Sequence, residues 1–350
     1  MNKLLLFGFT LFMAASSCNK ANQEVEPTAE LTSTRLPFEN NTLKVSVASI
    51  TLPVGITSIF FLSESTGLAT TYEGKIYRTQ DQGATWLAQY IPALTDQPLF
   101  DLLFTDQKTG YAVGGKSGCG GAGCVPPGGI VLKTDDGGAT WHKVYTGSQN
   151  EIVSIAMNKN GSLFIAANGS PAGLFRSTDA GFSWQLVETA GNSFSKIVFT
   201  DNAGFYTGGG AQLVKSTDAG ATWPSKTVVS YNYVNDLAFS NERGYYVLGY
   251  SQAFTTYNTG ASWQEVQSPV ISISKVNSLT VSSALLWGGG HSTGGDFPVQ
   301  YAAVGQTTNG GKTWTGTEFP EISRVTTAHF YTPQQGYAVA GRTLLKVTVK

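Results

Sequence analysis

The chain is poor in charge, in histidine and in cysteine. Only 13% of its 350 residues are charged, and the formal net charge is −1. Polyanion-binding surfaces need clustered Lys and Arg, so the composition argues against nucleic acid as a partner. There are three histidines, His142, His291 and His329, and they are scattered along the sequence. No Ser-His-Asp arrangement follows from them. With two of the three cysteines, Cys119 and Cys124, far from any histidine, the zinc ligand set is also missing. Beyond Leu4 to Ala15 there is no long apolar run, and that one is too short for a stable membrane span. What the chain has instead is 41 glycines and 12% aromatic residues, the composition of a turn-rich β protein.

The first residues read as a targeting segment: Lys3, the apolar run, then Ala15-Ser16-Ser17-Cys18. Small residues before a cysteine at this distance resemble a bacterial lipobox, although Ala15 replaces the usual leucine. The resemblance implies cleavage after residue 17 and lipidation of Cys18, placing the protein in the bacterial cell envelope, at the outer membrane or its periplasmic face. An ordinary secretory signal with an incidental cysteine is the alternative. Residues 18–42 are polar and aperiodic, as expected of a flexible tether. In an oxidising compartment, Cys119 and Cys124 form an even pair for which a small local disulfide is the simplest expectation. No metal or cofactor site is expected.

Six of the seven tryptophans end one repeated phrase, Ser/Thr-x-Asp/Asn-x-Gly-x-Ser/Thr-Trp. Its Asp/Asn and Trp positions are Asp81 and Trp86, Asp136 and Trp141, Asp179 and Trp184, Asp218 and Trp223, Asn258 and Trp263, and Asn309 and Trp314. The copies recur roughly every 40–55 residues, with several short strands between them, the mark of a β-propeller. Apolar first strands are expected at 56–61, 99–104, 152–157, 194–199, 234–239, 276–281 and 325–330. The seventh unit ends after its third strand, so the alternating segment Leu43–Ile50 is expected to join it and close the ring. The reading is an all-β, seven-bladed propeller over residues 43–350. Within each phrase, Asp or Asn is expected to accept local amide bonds, glycine to supply positive φ, and tryptophan to anchor the hairpin. Asn258 and Asn309 keep the acceptor without the charge, which points to hydrogen bonding rather than acid chemistry.

The phrase resembles the Asp-box, or bacterial neuraminidase repeat. Gly110-Tyr-Ala-Val-Gly114 followed by Lys133-Thr-Asp-Asp-Gly-Gly-Ala-Thr-Trp141 is more specifically similar to the photosystem II stability and assembly factor family. That resemblance covers about residues 43–350 and implies a non-enzymatic propeller that binds partner proteins. Sialidases that share the repeat grip a carboxylate with three arginines. The six arginines here do not supply such a triad, and no Phe-Arg-Ile-Pro signature is present. Gly110 to Ser117 also matches a phosphate-binding P-loop letter for letter, but a strand and a Gly-Cys-Gly-Gly run replace the helix that motif needs.

Chain direction puts the Asp-box turns on one rim, with the turns between first and second strands. The two longest insertions, 116–129 and 291–303, fall on the other rim. They are candidate binding loops, with His291, Phe297 and Tyr301 as anchors, or else tolerated surface variation. A polar column also recurs on the first strands: Ser58, Asp101, Ser154, Lys196, Asp236, Ser278 and Thr327. Asp101, Lys196 and Asp236 are its charged members. The column lines either a hydrated structural channel or a site for a ligand or a partner's loop. The leading expectation is a scaffold for a protein or envelope component. The alternative is a carbohydrate-active propeller, either glycan-binding or hydrolytic through Asp101 and Asp236, with Tyr90, Tyr231 and Tyr233 as rim aromatics.

Overall fold

The structure is a computed structural model. Residues 1–37, 40–42, 50, 54, 90, 92–96, 117–127, 148–150, 170–171, 190–192, 202, 209–211, 229–232, 249–251 and 290–300 lie outside its described part. The compact unit Pro37–Lys350 contains seven antiparallel sheets and, among the described residues, no helix. The inner strands of blades 1 to 7 are Ile56–Phe61, Leu99–Phe104, Glu151–Met157, Phe194–Phe199, Val234–Ser240, Ile271–Ser278 and Val325–Phe330. Each packs against the next, and Val325–Phe330 returns to Ile56–Phe61, so the ring is closed.

Closure is made by the N-terminal strand Leu43–Ser49, which pairs with Thr343–Val349 in register Leu43↔Val349 and Val45↔Val347. Alternation decides the register: Leu43 and Val45 are buried and Lys44 faces solvent. A short strand, Phe38–Glu39, adds outside it, so blade 7 has five strands and pairing begins earlier than the expected boundary at residue 43.

One expected strand is displaced. The sixth inner strand spans Ile271–Ser278, rather than 276–281, and Val281 is exposed beyond it. In every blade the inner strand breaks register just before the column position, after Ile56, Leu99, Ile152, Phe194, Val234 and Val325. In blade 6 the break falls between Ile271 and Lys275. Lys275 pairs with Trp287 as Asp101 pairs with Val113, so the sixth column residue is Lys275 and not Ser278.

Aromatic and glycine positions interlock. The inner strands of blades 1, 2, 4, 5 and 7 carry Phe61, Phe104, Phe199, Phe239 and Phe330, each opposite the glycine that opens or nearly opens the second strand. A Cβ on Gly67, Gly110 or Gly204 would stand 2.5 Å from the facing ring. Blades 3 and 6 have Met157 and Ser278 there, and their partners are Leu163 and Ala284. This accounts for Gly110 in the P-loop-like string, which runs along the strand Gly110–Lys116.

The turns that carry the repeated tryptophan phrase are hydrogen-bond cages. Thr79 Oγ1 donates to Asp81 Oδ1 (2.8 Å) and accepts the Gly83 amide (2.9 Å). Asp81 accepts the Thr85 amide (2.9 Å) and hydroxyl (2.6 Å). Trp86 Nε1 donates to the Gly83 carbonyl at 3.0 Å. At Asn258 and Asn309 the amide oxygen keeps the acceptor role while Nδ2 donates to Ser262 or Thr313. The hydroxyls and then the amides of Ser183 and Thr222 hold Asp179 and Asp218 down at about 2. At Asp136 burial pushes upward, but Thr140 and Thr134 outweigh it and leave about 2.

The same turns staple neighbouring blades. The residue before each box glycine has positive φ: Gln82, Gly137, Ala180, Ala219, Thr259 and Gly310. In boxes 2 to 6 its carbonyl accepts a donor from the preceding blade. The donors are Arg78 (3.2 Å), the Tyr111 hydroxyl (3.3 Å), Asn158 (2.7 Å), Lys215 (2.5 Å) and Arg243 (2.7 Å). At the closing seam Lys346 reaches the Gln82 side chain (3.2 Å) and pairs with Glu64. Most arginines are thereby committed to the frame. Arg342 bonds the Leu52 carbonyl (3.2 Å), and Arg176 bonds Ser162 (2.9 Å).

Candidate functional site

The column residue follows a bulge in every inner strand, and the bulge turns it into the central channel. The ring reads Ser58, Asp101, Ser154, Lys196, Asp236, Lys275, Thr327. A cavity of about 280 Å³ is lined by Ser58, Asp101, Lys196, Asp236, Lys275 and Thr327 among others. The structure thus brings together the three predicted charged residues and adds a fourth, Lys275, in the column position expected for Ser278.

Their first task is structural. An inner strand is the edge of its blade, and its outward amides need acceptors. Asp101 Oδ2 accepts the Ile155 amide of the next blade (3.2 Å) and the Ser154 hydroxyl (2.9 Å), while Oδ1 accepts its own neighbour Leu102 (3.1 Å). Ser154 in turn accepts the Ile197 amide at 3.4 Å. Asp236 Oδ2 accepts the Val276 amide at 3.0 Å. The lysines stand further off, Lys196 at 3.6 Å from Asp101 and Lys275 at 4.0 Å from Asp236. Asp101, with a smaller contribution from Asp236, holds the Lys196 ammonium above its ordinary value against the opposing cost of burial. Lys196 therefore responds to both carboxylates.

Two residues further along each inner strand lies a second ring containing Phe60, Ala238, Asn277 and His329, all of which line the cavity. His329 was not singled out from the sequence. Its Nδ1 accepts the Phe61 amide at 3.1 Å across the closing seam, and its ring lies 4.0 Å from that of Phe60. Burial lowers its pKa to about 4, so the imidazole is neutral and carries its proton on Nε2. Phe60 and His329 also line a second hollow of about 410 Å³ on the side of the tryptophan turns, with Phe104, Gln107 and Tyr331. The two rings thus stand between the channel cavity and the box rim.

On the insertion rim, Tyr72 is 61% exposed and meets Phe100 edge-on at 6.0 Å, and Tyr233 is 70% exposed. Tyr301 opens the third strand of blade 6, and its hydroxyl donates to Glu318 at 3.1 Å. It does not line the channel cavity. His291, Phe297, Tyr90, Tyr231, Cys18, Cys119, Cys124 and the bulk of both insertions lie outside the described residues. Among the described residues no group of three or more His, Cys, Asp or Glu side chains could hold a metal ion.

No family model and no curated protein matches the chain. Solved structures do. YCF48 bound to D1 peptide is 18% identical with a TM-score of 0.65, covering 89% of this chain and 99% of its own. The GH74 xyloglucanase from Xanthomonas campestris is 14% identical with a TM-score of 0.63, over 86% of this chain but 53% of the enzyme. A streptogramin B lyase structure is 11% identical with a TM-score of 0.67, over 88% and 98%. At such identities the likeness shows the fold alone.

Proposed function

We propose that this propeller is a non-catalytic, lipid-anchored binding scaffold of the bacterial cell envelope, holding a protein partner or envelope component on its insertion rim. The observation that carries this reading is the state of the channel carboxylates. Asp101 accepts the Leu102 and Ile155 amides and the Ser154 hydroxyl, and Asp236 accepts the Val276 amide, so each carboxylate already has a structural task at the seam between blades. The solved likeness to YCF48 bound to D1 peptide supports a peptide or protein as the bound species. The anchor is Cys18, and the contact is made by loops 116–129 and 291–303, with His291, Phe297 and Tyr301 contributing. Crosslinking the native lipoprotein in its own cells, with and without each insertion, tests this. Deleting either loop should abolish capture while leaving the unfolding midpoint nearly unchanged. Undiminished capture by both deletions overturns the reading.

A second reading, glycan binding, is favoured by the exposed Tyr72–Phe100 pair and Tyr233, since aromatic faces on a rim suit sugar rings. Saturable binding of a soluble glycan that is lost in Tyr72→Ala and Tyr233→Ala would replace the protein-partner reading. Turnover of a glycoside that vanishes in Asp236→Asn would overturn the non-catalytic one.

A further inference from the structure

The channel ring divides into two unlike arcs. Over blades 2 to 5 the hydroxyl, carboxylates and edge amides bond one another: Ser154 donates to Asp101 and accepts the Ile197 amide, and the carboxylates cap amides, with Lys196 at 3.6 Å from Asp101. Over blades 6, 7 and 1 such bonds are missing among the described residues. Lys275 lies 4.0 Å from Asp236, beyond hydrogen-bonding distance, and its side chain is 31% exposed. In the next two blades Thr327 and Ser58 are largely buried as residues, and their hydroxyls, which open onto the cavity, have no hydrogen-bond partner among the described residues. Both belong to the cavity wall. Asn277, two residues beyond Lys275, uses its Oδ1 to accept the Trp287 indole N–H (2.8 Å), which leaves its Nδ2 as a further donor. Two hydroxyl donors that open onto the cavity, on the same arc of the ring as a loosely paired ammonium, offer a place for an acceptor.

We propose that Lys275, Thr327 and Ser58 form a seat for one carboxylate group inside the channel, with the rings of Phe60 and His329 beneath it. A single ammonium matches a monoanion rather than a phosphate dianion. A carboxylate offers about four lone-pair sites to the ammonium and the two hydroxyls. The cavity of about 280 Å³ admits a short-chain acid or the acidic side chain of an inserted loop, and excludes a folded domain. The seat needs neither rim insertion and stands apart from the rim reading.

His329 reports on the cavity, so its imidazole resonances in the full-length protein give the test. Sodium butyrate, neutral butyramide and a capped Gly-Gly-Glu-Gly-Gly peptide are titrated at matched ionic strength. A saturable shift with butyrate or the peptide, and none with butyramide, is expected. Butyrate points to a free acid as the natural source, and the peptide alone points to a partner's side chain. Thr327→Val should weaken binding several-fold. Asp236→Asn/Lys275→Met, which removes the loose pair together and leaves no bare buried charge, should weaken it at least tenfold, while Lys275→Arg retains it. Equal shifts with butyramide, no saturable shift with either carboxylate, or full affinity in the double variant would overturn the seat. Rim-loop deletions should leave the butyrate shift intact, so failure of partner capture and failure of the seat are separable.

Discussion

His329→Asn should remove a pH dependence that the ring-closing seam imposes on the whole propeller. The imidazole accepts the Phe61 amide through Nδ1, and burial lowers its pKa to about 4, against an ordinary value near 6.5. Protonation therefore takes away the acceptor and places a charge beneath Phe60. Because the folded pKa is depressed, the unfolded chain binds the proton first. The neutral form's stability is fully present above about pH 6.5, erodes as pH falls, and is exhausted below about pH 4. Integrating between those values gives a loss of about 3 kcal/mol by pH 4, a large part of a domain's usual margin. Asparagine keeps an oxygen near the position of Nδ1 and has no proton to bind. Urea denaturation at half-unit steps from pH 7.5 to pH 4 measures the effect. The variant is expected to start lower, having lost the ring contact with Phe60, and then to run flatter than the wild type. Parallel profiles would show that His329 is already protonated in the fold, or that the seam opens without unfolding the ring, and would refute the linkage.

A second acid limb lies lower. The box aspartates Asp136, Asp179 and Asp218 sit at about 2, so their stabilising cages persist above about pH 4 and fail as pH falls toward 2. Replacing all three by Asn should flatten that limb in acid titrations followed by circular dichroism, and an unchanged limb would sink the cage argument. Gly204→Ala places a Cβ 2.5 Å from the Phe199 ring and 2.8 Å from Trp223, with an expected cost of about 1–3 kcal/mol in denaturant midpoints. Adding Phe199→Leu should recover part of that cost, and strict additivity would argue against the contact. Val45→Ala, at a fully buried position of the closing strand, should cost about 2 kcal/mol, while exposed Lys44→Ala in the same strand should cost well under 1 kcal/mol.

Blade number, closure by Leu43–Ser49 and the hydrogen-bond cages of the repeated phrase were legible because each rests on a local pattern: a tryptophan phrase, strict alternation, a missing fourth strand. The sixth inner strand was not. Ile273-Ser274-Lys275 and Val276-Asn277-Ser278 both fit the apolar–x–polar motif of the other blades, and period-two patterning cannot choose between them. A bulge adds a residue and removes the phase that alternation would supply. The misplacement hid Lys275, and with it the unequal halves of the ring. His329 was reachable by counting two residues on from Thr327, but Phe60, Leu103, Ala156, Val198, Ala238 and Asn277 share no chemistry that would have drawn attention to the row. The capping of edge amides by Asp101 and Asp236 is a contact between blades, and single-strand patterns carry no trace of it.

The seam contacts on the rim of the tryptophan turns have a consequence for how such a ring drifts. In five seams the acceptor is a main-chain carbonyl, held outward by a positive-φ turn, while the donor is a guanidinium, a phenol, a carboxamide or an ammonium from different places in the preceding blade. A carbonyl belongs to every residue type, so substitution at the receiving position leaves it in place, and the giving position needs only reach and a proton. In these five seams a blade is therefore bound to its successor by a rule of geometry and not by a fixed pair of side chains. Blades joined in this way can diverge one at a time, provided that each still offers some donor forward around the circle.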